Sequence, residues 1–171
     1  MSDQWPRYEV FRQERADGPH RNVGSVHAAD AEMALLNARD VFARRPSCLS
    51  LWVVPAAAIT TSDGQSGPPD DTPGPAEPYA VCAKQSERQA MTYVDTVGRV
   101  EARSPAEALR AAAALFPARL WWVFPERAVG RSDPADAADF AAATGKRFRL
   151  PNQYHTVFTM HKIRRGDEAD E

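Results

Sequence analysis

A block of sequence that occurs twice constrains this chain more than any other feature. Val23-Gly24-Ser25-Val26-His27-Ala28 leads into Ala34-Leu35, and Val97-Gly98-Arg99-Val100-Glu101-Ala102 leads into Ala108-Leu109. The flanks repeat in the same order. Tyr8-Glu9-Val10-Phe11 precedes the first block and Tyr79-Ala80-Val81-Cys82 the second. Downstream, Leu51-Trp52-Val53-Val54-Pro55 is echoed by Trp121-Trp122-Val123-Phe124-Pro125. Three blocks in one order read as an internal duplication. The expected division is a first unit over 1–59, a Pro/Gly/Ser-rich linker over 60–78, a second, diverged unit over 79–130 and a C-terminal segment over 131–171. At roughly 50–60 residues, each unit lies near the minimum that folds alone, so the two are expected to lean on each other.

Within each unit the hydrophobic period switches in the same way. Tyr8 to Arg12 and Asn22 to Ala28 alternate, which predicts two strands joined across Ala16-Asp17-Gly18-Pro19. Asp30 stands where a helix N-cap belongs; its counterpart Ser104 is followed by Pro105 and, at the third position, Glu107, a capping-box pattern. The helices are expected to bury Leu35, Ala38, Val41 and Phe42 in the first unit and Leu109, Ala112, Leu115 and Phe116 in the second, with Pro46 and Pro117 ending them. A third strand follows, Leu49 to Val54 and Arg119 to Phe124. The fold class is α+β, two tandem ββαβ units. After them, Asp133-Pro134 predicts a short helix through Ala137, Ala138, Phe140 and Ala141 to Gly145, then an extended tail.

The third strands break the expected rule for a small sheet. One face against a helix and one against water should alternate apolar with polar. Here Trp52 and Val54, and likewise Trp122 and Phe124, stand opposite residues that are already apolar. A face presenting Trp and Phe outward requires a second layer. Trp52, Val54, Trp122 and Phe124 are therefore candidate interface residues, and the two units are expected to pack through such faces as an intramolecular pseudo-dimer. Arg44 and Arg45 join the candidates as cations at the end of helix one, where they complement the helix dipole or dock an acidic partner or a phosphate-bearing ligand.

Several chemistries are excluded by what the sequence lacks. Lys and Arg total 21 against 23 Asp and Glu, a net charge of −2, without the basic excess of a nucleic-acid binder. Two cysteines, Cys48 and Cys82, are too few for an all-cysteine zinc or four-thiolate iron–sulfur site. No Gly-x-Gly-x-x-Gly or Walker loop exists, and no Glu has a His three residues on, the spacing a helical di-iron site uses. His155 and His161 on one strand would stand about 20 Å apart, too far for one metal. A small hydrolytic site built from His27 with Cys48, Ser25 or Asp30 lacks a nucleophile elbow, and Glu101 replaces His27 in the second unit. No catalytic, cofactor or metal site is expected. The polar start and the absence of any apolar run near 18 residues predict a cytoplasmic protein that does not engage a membrane.

Trp5-Pro6, Tyr8 to Phe11, Val23 to Leu35, Asn37-Ala38-Arg39-Asp40-Val41 and Leu51 to Pro55 together resemble the phenylacetate-degradation B family (PaaB) through about residues 5–59. Ser132-Asp133-Pro134 and Phe148-Arg149-Leu150-Pro151 leading to Tyr154 are similar to that family's ending, with a second unit inserted before it. The resemblance implies a non-catalytic subunit of the monooxygenase that epoxidises the ring of phenylacetyl-CoA. In such a system another subunit holds the di-iron site, a reductase supplies electrons, and the PaaB component bridges the catalytic and structural subunits. The alternative is a free-standing ligand-binding or regulatory ββαβ module.

Overall fold

The structure, a computed structural model, describes residues 4–43, 48–64, 74–84, 94–138 and 140. The first half runs β1 (Arg7–Gln13), β2 (Arg21–His27), α1 (Ala31–Phe42), β3 (Ser50–Pro55), a 3-10 turn (Ala56–Ala58) and β4 (Thr60–Thr61). The second half repeats the order as β5 (Glu77–Lys84), β6 (Asp95–Ala102), α2 (Pro105–Leu115), β7 (Leu120–Pro125), a 3-10 turn (Glu126–Ala128) and β8 (Gly130–Arg131). A further 3-10 turn covers Pro134–Asp136.

The halves agree in detail as well as in order. In the first, β1 pairs antiparallel with β2 on one side and β3 on the other, as β5 does with β6 and β7 in the second. Both hairpins carry a register shift at the same place, between Val10 and Phe11 and between Val81 and Cys82. The glycines opposite Val10 and Val81, Gly24 and Gly98, answer a packing demand. A Cβ on Gly24 would lie 3.0 Å from the ring tip of Phe42, and one on Gly98 would lie 2.5 Å from that of Phe116. Gly24 also adopts φ 133°, which a side chain would strain. Each glycine thus makes room for the aromatic that ends the helix above it.

Asp30 accepts from Met33 N at 2.8 Å and starts α1. Ser104 accepts from Glu107 N at 3.3 Å, but Glu107 answers to Arg103 N at 2.8 Å, not to the cap residue itself. The two helices cover their own halves through small residues: Ala34 and Ala38 in α1, Ala108 and Ala112 in α2, all fully buried. Val41 and Leu115, expected among the buried residues, are 60% and 63% exposed, each in the last turn of its helix.

Among the described residues the strands form one eight-stranded sheet, in the order β4-β7-β5-β6-β2-β1-β3-β8. The small sheets expected for the two units are thus joined. At the centre β2 meets β6 end to end at Arg21↔Asp95, with backbone bonds from Asn22 N to Val94 O and from Thr96 N to His20 O, both 2.9 Å. At the margins the halves exchange arms. β4 leaves the first half to pair with β7 of the second, and β8 leaves the second to pair with β3 of the first. Thr60 and Thr61, expected in the linker, are therefore strand, since β7 offers them an open edge. The same crossing carries the chain to Phe140, which is 2% exposed and packs in the first half's core with Leu51, Val53 and Ala38. The segment expected to continue to Gly145 and beyond lies outside the described residues.

Candidate interface between the halves

Strand alternation puts three apolar clusters in the molecule. Leu51 and Val53 point toward α1, and Val123, with Trp121 beside it, toward α2. Their neighbours point the other way, into a third cluster to which both halves contribute. There Phe11 and Val54 of the first half meet Ala80, Cys82 and Phe124 of the second, with Ile59, Val94, Val129, Trp52, Leu120 and Trp122 around them. Phe11 lies 5.5 Å from Phe124, tilted, and 6.5 Å from Trp122, edge to face. Such pairs add to area burial when the rings are offset or T-shaped. The structure brings Trp52, Val54, Trp122 and Phe124 together here, and Val54 and Phe124 are fully buried within the chain. Arg44 and Arg45 lie outside the described residues.

The exchanged arms seal this cluster with matched bonds. Ser132 N donates to Leu51 O at 2.9 Å, and Ser132 Oγ accepts from Leu51 N at 3.0 Å. Across the molecule Ser62 N donates to Trp121 O at 3.0 Å, and Ser62 Oγ accepts from Trp121 N at 3.1 Å. Ile59 and Val129, at 2% and 9% exposed, plug the two ends. The signal was present in the sequence, since Ile59, Ser62 and Asp63 recur as Val129, Ser132 and Asp133. It escapes a reading that assigns the first trio to a linker and the second to a tail.

Around the shared cluster the halves differ. His20 stacks on Trp52 with centroids 3.7 Å apart, bonds Ser50 Oγ through Nε2 at 3.1 Å, and donates its backbone N–H to the Thr96 hydroxyl at 2.9 Å. Arg131, delivered by β8, stands 5.2 Å from the same Trp52 ring. Burial, and secondarily the Arg131 charge, hold the His20 imidazole down at about 4, so the ring is neutral at ordinary pH. In the second half the corresponding places hold Val94, Trp122 and Thr61, without a histidine or a cation.

The other reactive residue types are dispersed. His27 pairs with Arg7 at one end of β1, while Cys48 bonds Ser50 O near the other end, where Gln13 pairs with Ser50. Six residues of strand separate those ends, roughly 20 Å, so the two cannot act together. Burial pushes the Cys48 thiol up to about 11 and raises Cys82 as well, the opposite of an activated thiolate. Asp30 is occupied as a helix cap. Among the described residues no three His, Cys, Asp or Glu side chains cluster as metal ligands would, and no helix is long and apolar enough to cross a membrane. A hollow of about 380 Å³ at the tip of the β1–β2 hairpin is lined by Arg12, Glu14, Arg15, Asp17 and Arg21 among others. Two of its cations are engaged, Arg12 by Glu14 and Arg21 by Asp95 in a two-pronged contact at 2.7 and 3.0 Å.

Comparison with known proteins bears on the first half. The chain is 53% identical over 58 residues to the B component of 1,2-phenylacetyl-CoA epoxidase from Escherichia coli K12. That alignment covers 34% of this chain and spans 61% of the relative's length. No solved structure matches. The family model described as Phenylacetic acid degradation B matches residues 4–73, that is, β1 through β4 with α1 and the residues that follow β4. Over residues 4–73, this chain is thus similar to the phenylacetic acid degradation B family.

Proposed function

We propose that this chain is a non-catalytic bridging subunit of a multicomponent di-iron monooxygenase, the 1,2-phenylacetyl-CoA epoxidase, in aerobic phenylacetate degradation. The observation that carries the reading is the 53% identity over 58 residues to the epoxidase's B component. In this proposal another subunit supplies the di-iron centre and a reductase its electrons, while this chain holds the catalytic and structural subunits together in the cytoplasm. The second half, residues 79–130, is a diverged duplicate of the first, and the chain stands where a pair of single-unit subunits would. The matched bulges, the paired glycine–phenylalanine contacts and the reciprocal serine bonds support a common origin, because bulges are designed features retained within a family.

The geometry suits bridging. With the strand faces that carry Trp52 and Trp122 turned inward, α1 and α2 lie on the outside of their own halves, and a bridge requires two outward surfaces. The hollow beside Arg12 favours the second reading, a small-molecule-binding module, but the pairing of Arg12 with Glu14 leaves less positive charge for a ligand.

The test is co-expression with the remaining epoxidase subunits from the same organism. The expected outcome is a stoichiometric complex with phenylacetyl-CoA epoxidation that falls when this chain is omitted, and no turnover by this chain alone. Turnover by the isolated chain, or full activity without it, would overturn the proposal.

A further inference from the structure

The two exchanged arms are built alike, yet they are not interchangeable. Each offers its receiving strand the same pair of serine bonds, Ser132 to Leu51 and Ser62 to Trp121, so those bonds favour neither arm over the other. The two residues before each serine differ. Gly130 and Arg131 face Val53 and Trp52 on β3, whereas Thr60 and Thr61 face Val123 and Trp122 on β7.

Gly130 sits in a gap that admits no side chain. β8 lies against α1 as well as β3, and a Cβ on Gly130 would stand 2.9 Å from Cγ2 of Val53 and 3.2 Å from Cβ of Ala31, the first residue of α1. Neither neighbour can swing aside: valine is stiff at χ1, and an alanine methyl is fixed to its backbone. A threonine adds a methyl and a hydroxyl beyond that Cβ. The backbone of Gly130 is ordinary, without the positive φ of Gly24, so the demand for glycine comes from the contact alone. On the other half the corresponding gap is wider. Thr60 is half-buried on β7 beside α2, and its hydroxyl is enclosed without a hydrogen-bond partner, so it fills that place by shape. Arg131 adds an attraction that Thr61 could not supply in its place: its guanidinium lies 5.2 Å from the Trp52 ring and 3.9 Å from the Glu126 carboxylate.

We infer that the outer edge of β3 is a selective docking site, which accepts an arm carrying glycine opposite Val53 and rejects one carrying threonine. The first half therefore pairs with a second half and not with the first half of another copy, whose arm would bring Thr60 against Val53 and Ala31. The tether then favours the second half of the same chain over that of a neighbour. Specificity needs an element that rejects the wrong mate as well as one that attracts the right one, and the Val53–Ala31 gap is the rejecting element. The selection stands on the two arms alone and holds whatever the chain assembles with.

The test gives the second half's arm the residue of the first. Gly130→Thr and Gly130→Ala are made in the full chain, in the wild-type and the Val53→Ala backgrounds. Folding is followed by urea denaturation, and arm docking by amide hydrogen exchange at Leu51 and Ser132, with Trp121 and Ser62 as the internal reference. Strand propensity alone favours threonine over glycine, so a mere strand position would gain stability from the change. The expected result is the opposite: Gly130→Thr lowers the folding constant roughly tenfold or more, and Leu51 and Ser132 lose protection while Trp121 and Ser62 keep theirs. In the Val53→Ala background the same change should cost less than about threefold, because the stiff methyl is gone. Should Gly130→Thr fail to fold, Gly130→Ala carries the same comparison with a smaller loss. A Gly130→Thr chain as stable as wild type with Leu51 protected, as a monomer or a dimer, would overturn the inference, since β3 would then accept threonine. An equal penalty in both backgrounds would overturn it as well, because the cost would not come from the gap.

Discussion

The first and second halves have the same strand order, bulge position and glycine–aromatic contact, and they differ in what surrounds them. Around Trp52 stand His20, Ser50 and, from the arm of the second half, Arg131; around Trp122 stand Val94 and, from the arm of the first half, Thr61. Outside, α1 exposes Met33 and Leu36 where α2 carries the half-buried Glu107 and the exposed Arg110. What the halves hold in common is what builds the sheet and joins them, and what separates them lies at the rim of the joint and on the outer faces. Two halves of one architecture thus share the residues that make them fold and differ in those that meet the outside.

The largest expected effect tests the shared part. Phe124→Ala removes a fully buried ring from the cluster that both halves build, and core Phe→Ala changes cost about 3–5 kcal/mol. Urea denaturation should show one cooperative transition shifted by that amount. Two separated transitions in the wild type, or a loss below about 1 kcal/mol in the variant, would mean that the halves are held together by the linker alone.

The next effect should come from the first half only. The His20 imidazole is held at about 4, below its ordinary value near 6.5, so the folded state binds fewer protons than the unfolded state between those values. Its contribution is complete above pH 6.5 and is lost as pH falls toward 4. Wild type should lose on the order of 2 kcal/mol more than His20→Gln between pH 7 and pH 4.5. Equal slopes for the two proteins would show that the Trp52 stack does not exclude the protonated ring.

The smallest effects distinguish the two glycines. Gly24→Ala meets both the Phe42 ring and a φ of 133°, and should cost about 2 kcal/mol. Gly98→Ala meets only the tip of the Phe116 side chain, at an ordinary backbone angle, and should cost about 1 kcal/mol. Trimming the ring should therefore rescue the second and not the first: Phe116→Leu restores Gly98→Ala, whereas Phe42→Leu leaves Gly24→Ala impaired. Thermal midpoints of the four variants and the two doubles measure this directly.

The elements are legible in the sequence because they rest on local rules. Strand alternation around Trp52 and Trp122, and the caps Asp30 and Ser104, involve residues no more than a few positions apart. The apolar face of the third strands even signals a second layer. The arm exchange is not legible, because β4 and β8 are two residues long and no periodicity exists over two residues. Thr60-Thr61 and Gly130-Arg131 are strands only because an edge of the other half receives them. The exposed positions of Val41 and Leu115 escape the sequence for a different reason. Each follows a buried alanine, Ala34 or Ala108, by seven residues, the spacing of a single face, and that periodicity does not show that the last turn of the helix leaves the face open. In the sequence His20 stands as an isolated histidine, since its partners Trp52, Ser50 and Thr96 come from distant parts of the chain.

The arm exchange also imposes an order of events on synthesis. Val53 in β3 pairs with Gly130 in β8, so the outer edge of β3 stays open until about three quarters of the 171 residues have been made. Roughly 75 residues separate the two positions, and at roughly 5–20 residues per second that is a wait of several seconds. Throughout it, Trp52 and Val54 face water beside an unpaired strand edge, the combination that invites pairing with another nascent chain. The linker shortens the search once β5 to β7 have emerged, because the correct mate is then tethered nearby. For this protein, joining two units in one chain is as much a matter of who arrives first at that edge as of how well the finished halves fit.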